Sequence, residues 1–159
     1  MIFRQKLRNL ALIAEVISGI AIVVTLLFLA MEMRSNTEAV RAQTYQVLMA
    51  ELKNWRALFI EDPSLQEIIE NIDAVGWENL GMRERRRWWL REIAVWGIYE
   101  SAYFAKLRGV LGELEWARFE LQICRRFNIS GLMWDPPRSM ALKPTLTPHF
   151  AEYVEANCK

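Results

Sequence analysis

Sixteen consecutive residues, Val16 to Met31, read VISGIAIVVTLLFLAM and hold no charge. With Leu10–Ala14 the apolar stretch reaches Leu10, interrupted only by Glu15. At ~1.5 Å per residue, a helix of this length crosses the ~30 Å hydrocarbon core of a bilayer. A cleaved signal peptide shares the basic start. Its apolar core is shorter, ~7–15 residues, and ends at a small-x-small site. This run instead exits into Met31-Glu32-Met33-Arg34. The expected organisation is a basic segment at 1–9, a transmembrane helix at 10–33, and a helical extramembrane domain at 34–159. A single-pass membrane protein fits that order.

Basic residues set orientation. Arg4, Lys6 and Arg8 precede the span, and Arg34 and Arg41 follow it closely. The bias favours a cytoplasmic N-terminus and a periplasmic domain. The net charge is +1 and is concentrated before the span, so the domain is close to neutral. That gives no electrostatic footprint for nucleic acid, and no such partner is expected. With 53% hydrophobic and 25% charged residues, the chain is neither disordered nor wholly embedded in lipid.

Glu15 is the most informative residue of the span. An ionisable group there costs on the order of 1–3 kcal/mol unless paired, neutralised or reached by water. It either snorkels to the near interface or lies on a helix–helix seam or polar cavity. Ala11, Ala14, Ser18, Ala21 and Thr25 recur at alternating spacings of three and four and share one face beside it. Small residues let helices approach closely, which predicts a homo-oligomer.

The stretch Ala11 to Gln46, ALIAEVISGIAIVVTLLFLAMEMRSNTEAVRAQTYQ, resembles an uncharacterised group of bacterial single-span membrane proteins. The resemblance rests on Glu15, Glu32, Arg34, Asn36, Thr37 and Arg41: an early intramembrane Glu, then an acid-or-amide, Arg, Asn-Thr pattern. It covers about a quarter of the chain. It implies a bacterial origin and a helical tail, and it brings no activity.

Beyond the span, Ser35 and Glu38 have capping-box spacing, which would start a new helix. Against a break, neither Gly nor Pro occurs between Gly19 and Pro63. Val40, Tyr45, Leu48, Leu52, Trp55 and Phe59 mark a helical stripe, so a helix is expected to about Glu61. A turn at Asp62-Pro63 with a second capping box opens a short helix to Ile72. A long helix follows over Met82–Leu107, with Trp89, Glu92, Trp96, Tyr99 and Tyr103 along one face. Trp89, Trp96 and Tyr103 are expected to be buried, and Arg85 and Arg86 exposed. Glu113 to about Phe127 forms another helix with Leu114, Phe119, Leu121 and Cys124 as candidate buried positions. Residues 128–147 read as irregular, and Thr147-Pro148 caps a last helix to about Ala156. No alternating β-branched run appears, so the fold class is all-α.

Arg83, Arg85, Arg86 and Arg87 adjoin Trp88. Lipid headgroups or an anionic partner suit such a run; the plainer reading is a solvated helix start with Glu84 and Glu92 pairing locally. Cys124 and Cys158 lie far from other Cys or His, which excludes the usual zinc spacings. The plain expectation is a buried Cys124 and a loose Cys158, a disulfide being available only in an oxidising compartment. His149 stands alone, and no nucleophile elbow, phosphate loop or metal pair occurs, so neither a cofactor nor an enzyme is expected. The expectation is a self-associating membrane scaffold or partner-binding protein. The alternative is a homo-oligomeric cation channel with Glu15 facing the pore.

Overall fold

The computed structural model describes residues 2–134 and 140–158, with side chains for 14–77, 79–128, 134 and 140–158. The described chain is all-α: α1 (Ile2–Glu61), α2 (Pro63–Val75), α3 (Met82–Leu107), α4 (Glu113–Trp134) and α5 (Pro148–Asn157). Single 3₁₀ turns lie at Trp77–Asn79 and Lys143–Thr145. The chain divides into two units, residues 1–40 and 41–159.

In the first unit every described side chain is exposed. One helix among the described residues is long and apolar enough to cross a membrane. It runs on through Ser35 and Asn36 without a new cap. The Thr37 hydroxyl bonds back to the helix, Oγ1 donating to the Met33 carbonyl at 2.9 Å. Arg34 and Glu38 form an i,i+4 pair at 3.3 Å.

In the second unit, α3 and α4 form an antiparallel hairpin whose turn is closed by Gly109 at φ +69°. That left-handed backbone suits glycine. The core draws Leu48 and Leu52 from α1, and Val95, Trp96, Tyr99 and Tyr103 from α3. Trp116, Phe119 and Ile123 come from α4, and Phe150 and Val154 from α5. A smaller cluster of Leu65, Ile68 and Leu80 holds α2 in place.

Asp62 caps α2, its Oδ1 accepting from the Ser64 backbone N–H at 3.1 Å and hydroxyl at 2.5 Å. The cap is therefore Asp62 rather than the box expected at Ser64, and the helix ends at Val75, not Ile72. The helix α4 also outlasts expectation. It continues past Phe127 to Trp134, where burial of the Trp134 ring against Trp96 and Phe127 outweighs the weak propensity of Asn128-Ile129-Ser130-Gly131. The expected Asp135-Pro136-Pro137 break lies outside the described residues. Thr147 does precede α5, yet its hydroxyl donates to Glu100 Oε1 at 2.7 Å instead of capping.

Several burial expectations need correction. Leu114 and Leu121 are exposed, at 88% and 72%. The inward face of α4 is Trp116, Phe119 and Ile123, set by the aromatic shell around Tyr103, so the two leucines fall on the opposite side. Trp96 and Tyr103 are buried as expected, whereas Trp89 and Arg85 are both half-buried.

Candidate functional site

The small-residue face lies in the first unit. Ala14, Glu15, Ser18, Ala21 and Thr25 are all exposed, and the Ala11 side chain lies outside the described residues. Ser18, Ala21 and Thr25 line one shallow groove with Ile22 and Leu26. The Thr25 hydroxyl donates to the Ala21 carbonyl at 2.8 Å, so it presents its methyl group outward with the donor already engaged. On this face Ser18 and Glu15 are the other side chains able to hydrogen-bond.

The side chains of the basic run at the start of α3 differ in exposure. Arg83, Arg86 and Arg87 are exposed. Arg87 bonds Asp62 at 2.9 Å, closing α3 onto the start of α2. Arg85 is half-buried, and Trp88 turns inward against Phe59 with ring centroids 5.9 Å apart. Glu84 Oε2 accepts from the Gly81 N–H at 2.8 Å, and Glu92 reaches across to α4. Hydrogen bonding to Ser64, with Arg87 assisting, holds the Asp62 carboxyl below its ordinary pKa.

The polar centre of the domain escaped the sequence reading. Glu92 is fully buried and takes a bidentate grip from Arg126, whose Nε donates to Oε2 at 3.0 Å and whose Nη2 donates to Oε1. The Arg126 guanidinium also lies 4.9 Å from the Trp55 ring. Arg91, nearly buried, donates from Nη2 to the Trp55 carbonyl at 3.0 Å, while the Trp55 indole N–H donates to the Arg91 carbonyl at 3.1 Å. Burial, then the like charge of Arg126, pushes the Arg91 pKa down to about 10, so it stays protonated at neutral pH. The cluster ties α1, α3 and α4 together with charge-assisted bonds and aromatic faces.

A second polar cluster surrounds α5. Tyr103 Oη and His149 Nδ1 are 2.7 Å apart, and the Tyr153 hydroxyl donates to Glu120. Burial and the Glu120 contact raise the Tyr153 pKa well above the ordinary phenol. Burial also raises the Tyr103 pKa, so both phenols are neutral at physiological pH.

Cys124 and Cys158 are joined as a disulfide, with Cα atoms 4.6 Å apart. Cys158 is not loose; it is 3% exposed, while Cys124 is half-buried. The helix α5 returns along α4, which brings two cysteines 34 positions apart into register. The sequence carried no signal for that return, because it depends on tertiary packing of Phe150 and Val154. Among the described residues no group of three His, Cys, Asp or Glu is placed to hold a metal ion. Compared with protein families, curated proteins and solved structures, the chain matches none.

Proposed function

We propose that this chain is a membrane-anchored, self-associating helical scaffold of the bacterial inner membrane, with its folded domain on the periplasmic side. One observation carries the reading: an apolar run, Val16 to Met31, whose side chains are all exposed is joined to a domain that has a core of its own. Soluble monomers rarely expose large contiguous apolar patches. A continuous run such as Val16 to Met31 therefore calls for lipid or copies of itself as cover.

The disulfide supports the compartment. Such bonds persist in oxidising spaces and are rare in the cytosol, so pairing of Cys124 with Cys158 agrees with the orientation given by Arg4, Lys6 and Arg8. The groove at Ser18, Ala21 and Thr25 supports association through the span.

Three measurements test this. The chain should resist alkaline extraction from membranes. A reporter fused at the C-terminus should be active only in the periplasmic format. The detergent-solubilised mass should exceed that of one chain. A protein released by alkali would overturn the anchor, and a monomer would overturn self-association.

A further inference from the structure

The surface that best fits a bilayer within the folded domain is at the α3–α4 turn. Leu114, in the first turn of α4, is 88% exposed, more than any other large apolar side chain among the described residues. Leu107, the last residue of α3, is 53% exposed across the same turn. Neither contributes to the core. Basic groups surround them: Arg41, Arg108 and Arg118 are exposed, and the Lys106 ammonium sits 5.1 Å from the Trp116 ring. Arg118 is steadied by Tyr45 Oη at 3.1 Å. Of the acids nearby, Glu115 folds back over Gly112 and Glu113 is exposed. The balance is basic, with leucines projecting between the cations, as at peripheral lipid-binding surfaces.

Chain connectivity says what covers this patch. Arg41 is where the second unit begins, and its Nε donates to the Gly109 carbonyl at 3.0 Å, pinning the α3–α4 turn to that end of the unit. Arg41 is seven positions after Arg34. However those residues run, they reach at most about 25 Å. The Arg83 to Trp88 run sits instead beside Asp62, and on α1 Ile60 lies about 28 Å beyond Arg41.

The geometry points to the α3–α4 turn, through Leu107, Arg108 and Leu114, as a docking surface for the anionic face of the bilayer in which the chain is anchored. This rests on the membrane-anchor reading above. Docking would hold the domain at a fixed height and leave the Arg83 end free for a partner.

Photocrosslinking tests it with the full chain in vesicles of phosphatidylcholine and phosphatidylglycerol. Leu114→p-benzoylphenylalanine should form phospholipid adducts, and the same probe at Ile60 should not. The probe at Leu27 reports the anchor itself. Combining the Leu114 probe with Lys106→Glu and Arg108→Glu should lower its adduct roughly fivefold or more and leave the Leu27 probe unchanged. Adducts at Leu27 with none at Leu114, or equal yields at Leu114 and Ile60, would overturn the docking surface and leave the anchor standing. No adduct at Leu27 would overturn the anchor, and docking with it. Circular dichroism of each variant checks folding; Leu114 is exposed enough that the probe replaces no core contact.

Discussion

Arg126 of α4 holds Glu92 of α3 through two parallel hydrogen bonds, one of them 3.0 Å long, at a point where Glu92 has no solvent exposure. A carboxylate in that position needs its cation, because a buried unpaired charge is far costlier than a buried pair. Arg126→Met should therefore destabilise the domain by roughly 3–5 kcal/mol. The double variant Glu92→Met with Arg126→Met should lose clearly less than the single one. Urea unfolding of the detergent-solubilised chain, followed by circular dichroism, compares them. Equal losses would show that the pair is not what makes Arg126 important.

The Cys124–Cys158 bond closes a loop across 34 positions. Chain-entropy arguments give a loop of that size roughly 3–4 kcal/mol of stabilisation. Replacing both cysteines by alanine should lower the thermal midpoint while preserving helical content, since Phe150 and Val154 still pack. In cells, the wild-type chain should resist thiol alkylation until a reductant is added. Free thiols in freshly quenched cells would count against both the bond and the compartment assigned to the domain.

Trp96 has no exposure and meets Tyr99, Trp134 and Phe150. Trp96→Ala should cost about 3–5 kcal/mol. Trp89→Ala, at a half-buried site, should cost distinctly less. Near-equal losses would mean that the seven-residue aromatic spacing, and not burial, governs the face.

That contrast shows what the sequence could and could not disclose. Helical extents were legible wherever Gly and Pro punctuate the chain, as at Pro63, Gly81 and Pro148. The inward face of α3 was legible because Trp96, Tyr99 and Tyr103 repeat at helical spacing. The face of α4 was not. Leu114, Trp116, Phe119, Leu121 and Ile123 offer two apolar faces, and only the position of Tyr103 selects between them. Glu92 read as part of the α3 face, but its partner Arg126 is 34 residues away, and nothing local links them. The cysteine pairing was hidden for the same reason, since it follows from the return of α5 along α4. That Ser18, Ala21 and Thr25 share one face was legible from spacing alone, because a single helix fixes its own faces.

Asp62 links the end of α1 to α2 and α3 by capping through Ser64 and pairing with Arg87 at 2.9 Å. Its carboxyl lies below the ordinary value of 3.8, chiefly through the Ser64 hydrogen bond. A depressed carboxylate contributes stability that is complete above its unfolded pKa and is lost as pH falls through the folded one. Asp62→Ala should therefore lower the unfolding midpoint at neutral pH, and the gap from wild type should close as pH drops below about 3.8. A gap independent of pH would assign the effect to α2 geometry rather than to the charge.

The final prediction concerns the span. Ala14, Ser18 and Ala21 are exposed on one face, and Ser18 and Ala21 line a groove shallow enough for a second helix to approach. Leucine at such a position separates the backbones and removes close packing, which is the main attraction between helices in lipid. Ser18→Leu should thus weaken cross-linked oligomers in native membranes more than Glu15→Leu does. Glu15→Gln retains a hydrogen-bonding side chain and should leave assembly intact. Val23→Leu, a conservative change off the seam, should have no effect. Oligomers unchanged in Ser18→Leu would place the interface elsewhere. Loss of assembly in Glu15→Gln would show that a carboxyl group itself, rather than helix shape, joins the copies.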